Sequence, residues 1–378
     1  MSLTGSKIPH LELTISLDES DLLKGAAEII STLRPRWNLE HSTFKLFTDG
    51  ITNKLVGCFN SKDVDDVVLV RVYGQNTDLL IDRKAETRNF ILLQDFGYAP
   101  QLYATFHNGL VYEFVPGEVL TVGSVRSPAV YPLVARVMAG MHHVDCGPHV
   151  ARQPALWDKV NNFLALIPDR FHSSHMQKRF EEGIPGGLDH LRRELCVLQA
   201  ELSQLGSPIV FCHNDLLLAN VIHRNTSTAP TANAITFIDY EYAAYNYQAF
   251  DIGNHFDEFA GVTDTDFSLY PERSFQLSWL RVYLEEYKRI ERRGGVVKKG
   301  EEVEEKDKEE VVVTEEEVEL LYVQVNKFAL AAHFMWGVWA FVQAQHSTID
   351  FNFLEYGIVR LKEYFARRDE FLSLQLLR

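Results

Sequence analysis

Phe211-Cys-His-Asn-Asp-Leu-Leu-Leu-Ala-Asn220 places His213, Asp215 and Asn220 at the spacing H-x-D-x-x-x-x-N. A second acid, Asp239, follows the apolar run Ile235-Thr-Phe-Ile238 and opens Asp239-Tyr-Glu-Tyr242. Each apolar run reads as a buried strand that delivers its polar residues to a strand end, where loops expose them for chemistry. A bare H-x-D is common in proteins. The full set, with an apolar run before each half, is specific, and it is the spacing of a phosphoryl-transfer loop.

The residue types suit that chemistry. Negative charge spreads over a phosphoryl group in transfer, so positioning and electrostatics do most of the work. Asp215 is expected to orient a hydroxyl and take its proton. The amide of Asn220 and the carboxylate of Asp239 offer hard oxygen ligands for Mg²⁺, and Glu241 is expected to support a second metal or its waters. His213 is expected to hold the loop by hydrogen bonds. The competing reading is a pair of ordinary capped turns after buried strands.

Upstream, Phe44-Lys-Leu-Phe47 and Leu55-Val-Gly-Cys-Phe59 read as short strands around the turn Thr48-Asp-Gly-Ile-Thr-Asn-Lys54. That turn has one glycine and is a poor match to G-x-G-x-x-G. Val67-Val-Leu-Val-Arg-Val-Tyr73 is a β-branched strand with Arg71 inside it. A cation there needs a partner or an anionic ligand. A helix from about Arg83 to Phe96 follows, with Glu86 in its first turn as a candidate partner for Arg71. An exposed, solvated Glu86 is the alternative.

These segments resemble the choline/ethanolamine kinase family. The resemblance is carried by Gly50-Ile-Thr-Asn-Lys-Leu55, Val70-Arg-Val-Tyr-Gly74, the catalytic loop, Ile238-Asp-Tyr-Glu-Tyr242 and Trp336-Gly-Val-Trp339. Most specific is Tyr245-Asn-Tyr-Gln-Ala-Phe-Asp-Ile-Gly-Asn-His-Phe256. The likeness runs from about Pro9 to about Phe365. It implies an α+β, two-lobed, protein-kinase-like fold, with a small antiparallel-sheet N-lobe over 1–115 and a mostly helical C-lobe over 116–378. It implies ATP and Mg²⁺ as cofactors. Gly50, Thr52, Asn53 and Arg71 would hold phosphates, Glu86 would pair with Arg71, and the adenine would lie against a hinge starting at Glu113.

Within the family, Arg71-Val-Tyr-Gly-Gln-Asn-Thr-Asp-Leu-Leu-Ile-Asp-Arg83 and Asn254-His-Phe-Asp-Glu-Phe-Ala-Gly-Val262 resemble the ethanolamine branch. Choline kinases tend to carry Trp and further Tyr where this chain has Phe259, Ala260 and Thr263. A quaternary ammonium has no N–H and binds among aromatic faces. A primary ammonium has three donors and suits carboxylates. Tyr242, Glu258, Trp336, Trp339 and Tyr356 match acid and aromatic positions of the family's amine pocket. Taken alone, Trp336 and Trp339 share one face of an all-apolar helix and read as core; the resemblance reverses that preference. The implied substrate is a small amino alcohol, ethanolamine before choline. A drug phosphotransferase shares the H-x-D-x-x-x-x-N loop, but the Tyr245–Phe256 run argues against it; a pseudokinase scaffold fits less well, since Asp215, Asn220 and Asp239 are all present.

Composition agrees with a cytoplasmic enzyme. The chain has 378 residues, 46% hydrophobic and 24% charged, enough for a large core in two lobes. Its net charge of -15 argues against nucleic acid or an anionic membrane as a main partner. Cys58, Cys146, Cys196 and Cys212 are scattered and suggest neither a zinc site nor a disulfide framework. No signal-peptide pattern is read at the N-terminus, and the apolar helix around His333 is too short to span a bilayer. A homodimer is compatible with the chain. Ser16-Leu-Asp-Glu19 reads as a capping box for a helix ending before Pro35. The Asn108-Gly109 turn should join a hairpin. The Glu- and Lys-rich segment 291–319 reads as a charged, mobile insertion.

Overall fold

The computed structural model describes residues 10–18, 21–47, 53–63, 65–224, 234–295, 298–299 and 311–375. The chain forms two compact units, Met1–Leu80 with Ala99–Pro116, and Ile81–Tyr98 with Gly117–Arg378.

The first unit carries a six-stranded sheet. Its strands are β1 (Leu11–Leu13), β2 (Thr43–Phe47), β3 (Asn53–Phe59), β4 (Val67–Tyr73), β5 (Leu102–Phe106) and β6 (Gly109–Glu113), in the order β1-β5-β6-β4-β3-β2. All neighbours pair antiparallel except β1, which runs parallel to β5 and which the sequence pattern did not reveal. Helix α1 (Leu22–Leu33) buries Ala26, Ile29 and Ile30 against Val56, Val68, Val70 and Val72 of the central strands. It starts later than the Ser16–Glu19 pattern predicts, with Asp21 at its N-cap. Glu19 lies outside the described residues. Ser16 instead donates to Asn108 Oδ1, which also accepts from the Leu17 N–H at 3.0 Å. The hairpin turn is His107-Asn108, and Gly109 already belongs to β6. A Cβ there would lie 2.1 Å from the Arg71 carbonyl oxygen, so the strands can only meet this closely at glycine.

The second unit is mostly helical. Helix α2 (Arg83–Asp95) belongs to it, although strands of the first unit flank it in sequence. Asp82 caps α2 by accepting from Lys84 N and Ala85 N, and the Asn89 amide donates to the Ala243 carbonyl at 2.7 Å. Short β7 (Glu118–Val119) comes after Gly117 and precedes α3 (Val122–Val125), α4 (Tyr131–Met141), α5 (Leu156–Leu166), α6 (Ser174–Gly183) and α7 (Gly187–Leu202). Four short strands then frame the site: β8 (Ile209–Cys212), β9 (Val221–His223), β10 (Ile235–Phe237) and β11 (Ala244–Tyr247). The chain closes with α8 (Gln248–Asp257), α9 (Arg273–Arg292), α10 (Glu315–His346) and α11 (Phe353–Leu372). Buried side chains ring α10 from Phe328 to Val342, as its apolar sequence predicts. Among the described residues no helix is long and apolar enough to cross a membrane.

The expected insertion 291–319 is shorter than its composition suggests. Most of its centre, 296–297 and 300–310, lies outside the described residues. At its end Thr314 and Glu317 form a capping box, so the acids Glu315, Glu316 and Glu317 open α10. Acids favour a helix N-terminus, which explains why a charged run is helical here. Arg281 and Lys288 of α9 pair with Glu315 and Glu317. Replacing 300–310 with a short Gly/Ser linker should therefore barely change the melting temperature, since loop length costs little. Carrying the deletion through Glu317 should cost about 1 kcal/mol more, through the lost cap. Equal melting of the two deletions in a thermal scan would contradict this.

Candidate active site

Two antiparallel pairings build the site. Strand β8 pairs with β11 (Phe211↔Tyr245), and β9 pairs with β10 (Val221↔Phe237). The loop 213–217 and the turn 238–243 therefore lie side by side. They are tied by Ile238 N donating to the Asn220 carbonyl (3.0 Å), His213 Nε2 bonded to the Ile238 carbonyl (3.0 Å), and Asn214 Nδ2 donating to the Tyr242 carbonyl (2.9 Å). Burial pushes the His213 imidazole below its usual range, so it is neutral and donates from Nε2. Asn214 (φ 66°) and Asp239 (φ 64°) adopt left-handed backbone, a conformation Asn and Asp tolerate better than most residues.

The loop is anchored from beneath by Asp251 of α8, fully buried. Its Oδ1 accepts from Asn214 N (2.6 Å) and its Oδ2 from His213 N (2.9 Å) and His142 Nε2 (3.0 Å). The other His142 nitrogen is hydrogen-bonded to the Tyr283 hydroxyl (2.6 Å). Burial alone would raise the Asp251 carboxyl, but the His142 bond and charge hold it below the usual range. The sequence pattern marked this motif without giving Asp251 a task.

Asp215 lies above that anchor. Burial, then Asp239, Glu258 and Glu241, push its carboxyl well above the usual range, and Lys159 of α5 opposes them. Asn220 turns its amide nitrogen to the Asp215 carbonyl (2.9 Å), leaving Oδ1 as a ligand atom. Oxygens of Asp239, Glu241 and Glu86 fall within 4.8 Å of one another, a set of hard donors that fits a divalent cation. Arg83 Nη1 bridges Glu86 (2.9 Å) and Glu241 (3.3 Å). The sequence reading missed Arg83, although its i,i+3 spacing to Glu86 on a helix was a signal.

The aromatic positions also converge. Tyr242 meets Trp336 edge-on at 5.2 Å, Trp336 meets Trp339 at 5.4 Å, and Trp339 Nε1 donates to the Tyr242 hydroxyl at 2.9 Å. Trp336 Nε1 donates to Asn254 Oδ1 at 2.7 Å, so both indoles are buried and hydrogen-bonded. Glu258 is buried beside Tyr356, and Arg360 Nη1 reaches both, at 2.8 Å and 3.4 Å. Burial raises the Glu258 carboxyl and Arg360 lowers it, with a net upward shift. Burial pushes the half-buried Lys159 ammonium down to about 8, against the pull of Glu241, Asp215 and Asp82. Neither Lys159 nor Arg360 drew notice in the sequence.

Of the expected nucleotide-binding residues, Gly50 and Thr52 lie outside the described residues. Asn53 opens β3, and Arg71 is buried in β4 with its guanidinium 5.9 Å from the Tyr73 ring centre. Glu113 closes β6, where its carboxylate accepts from Gln101 N at 3.0 Å. These three belong to the first unit.

A family profile described as Choline/ethanolamine kinase matches residues 44–365. Ethanolamine kinase 1 of Homo sapiens is 46% identical over 371 residues, covering 98% of this chain and 77% of its own. The ethanolamine kinase of Drosophila melanogaster is 44% identical, covering 95% and 80%. Among solved structures, Plasmodium vivax ethanolamine kinase superposes with a TM-score of 0.76 at 26% identity, covering 93% of this chain and 89% of that one. The catalytic-loop spacing, the two-acid turn and these matches agree, and the chain belongs to the choline/ethanolamine kinase family.

Proposed function

We propose that the protein is an ethanolamine kinase, which uses ATP to phosphorylate the ethanolamine hydroxyl and releases phosphoethanolamine for phosphatidylethanolamine synthesis. The observation that carries this reading is the proximity of two kinds of group in one unit. Asp215 stands within electrostatic reach of Glu258, whose Oε2 is buried with no hydrogen-bond partner among the described residues. A primary ammonium on that oxygen brings a hydroxyl two carbons away toward the base.

Asp215 orients the hydroxyl and takes its proton as the O–P bond forms. Burial and the neighbouring acids raise its affinity for that proton. Asn220 and Asp239 hold Mg²⁺, with Glu241 and Glu86 beside them. The bound ion supplies positive charge to the nucleotide phosphates. Arg83 keeps the acids of that cluster apart from one another in charge. Asn53 and Arg71 contact the phosphates, and the segment from Glu113 meets the adenine. Tyr242, Trp336, Trp339 and Tyr356 wall the amine. The work is done in the cytoplasm, where ATP is available.

Purified protein with ATP should be offered ethanolamine and choline separately, with Mg²⁺ present or chelated. Ethanolamine should lead in kcat/KM by about tenfold or more, because trimethylation removes the N–H donors and leaves a buried acceptor unpaired. Chelation should abolish turnover and Mg²⁺ restore it. Equal or better use of choline would make choline the substrate, and turnover without metal would remove the assignment of Asn220 and Asp239.

A further inference from the structure

Two protein cations sit inside the region assigned to the substrate's own cation. The Lys159 ammonium lies 4.6 Å from the ring centre of Tyr242. The Arg360 guanidinium lies 5.8 Å from the ring centre of Tyr356. Each is within the range of cation–π attraction. A pocket that binds a cation loses affinity by holding others, unless they do something the substrate needs.

Their placement discriminates between amines. Tyr242 is spoken for on several sides: its edge contact is Trp336, its hydroxyl accepts from Trp339, and Lys159 covers a face. Arg360 is fully buried, holds Glu258 through Oε1 and touches the Tyr356 hydroxyl. What stays open is Glu258 Oε2, an acceptor without a donor among the described residues. A quaternary ammonium draws its binding from ring faces and cannot use a lone acceptor. A primary ammonium donates N–H to that acceptor and has little need of the rings.

We propose that Lys159 and Arg360 set the substrate preference, by seating cations on the two pocket tyrosines and leaving the Glu258 carboxylate oxygen, rather than those rings, for the incoming ammonium. The proposal rests on the amine-site reading above. Lys159 is the testable half, since Arg360 also neutralises buried Glu258 and its loss exposes the fold to an unpaired charge.

The test is the ratio of kcat/KM for ethanolamine to that for choline in Lys159→Met, Lys159→Gln and Lys159→Arg. Methionine and glutamine free the Tyr242 face, and the ratio should fall by about tenfold, mainly through a lower KM for choline. Arginine restores a cation over the ring and should keep the wild-type ratio. An unchanged ratio in both neutral variants overturns the proposal. So does an equal loss of kcat for both substrates, the result expected if Lys159 serves the phosphoryl group instead. On the unmodified enzyme, methylammonium should inhibit ethanolamine phosphorylation better than tetramethylammonium; the reverse order overturns the proposal without any variant having to fold. The wild-type ratio alone judges the ethanolamine reading; its change on substitution, together with the order of the two inhibitors, judges this one.

Discussion

Asp215→Asn is expected to lower kcat by about 10²–10⁴-fold, the usual cost of losing a positioned proton acceptor. The amide keeps the size of the side chain and the loop geometry. It cannot accept the hydroxyl proton. Loop bonds to this residue run through its backbone, since Asn220 and Leu217 both donate to the Asp215 carbonyl. The fold should therefore survive. Substitution also removes a carboxylate that Asp239, Glu258 and Glu241 crowd, so melting temperature should hold or rise. Steady-state kinetics and an ATP-binding titration separate the outcomes. A variant that turns over at the wild-type rate removes Asp215 from the role of base.

Asp251→Ala should show the opposite pattern, a large loss of stability with the catalytic groups all in place. The carboxylate is the shared acceptor for two backbone N–H groups of the loop and for His142. Alanine leaves those donors buried and unpaired, at about 1–3 kcal/mol for each orphan. The total should approach the 3–5 kcal/mol typical of breaking a buried charged pair. Denaturant unfolding measures it directly. Turnover should fall too, because His213 and Asn214 immediately precede the base. Wild-type stability in this variant would show that the loop is held from elsewhere.

Much of the site was legible because phosphoryl transfer fixes residue types at short spacings. His213, Asp215, Asn220 and Asp239 fall in two stretches, and two strand pairings suffice to bring them together. The β-branched run 67–73 and the helix after Asp82 were equally clear from their periodicity. Strand β1 was not, because Leu-Glu-Leu is too short to carry a period and its parallel partner lies far along the chain. The start of α10 was obscured because dense Glu and Lys read alike in a loop and in a capped first turn. Lys159 was invisible for another reason. In Leu156-Trp-Asp-Lys-Val160 it looks like any solvated lysine on an amphipathic helix, and only the tertiary fold sets it over Tyr242.

Helix α10 has a consequence for how the chain can change in length. It runs without a break from the Thr314 cap to the indoles of Trp336 and Trp339, roughly six to seven turns or about 33–38 Å. An α-helix turns by about 100° per residue. One residue gained or lost between cap and indoles would swing the rings away from Tyr242 or pull the cap from Arg281 and Lys288. Insertions and deletions are thus excluded along this rod and admitted just before it, where segments of quite different length can join the same two helix ends. Length variation among related chains should gather at that junction, while α10 keeps its register.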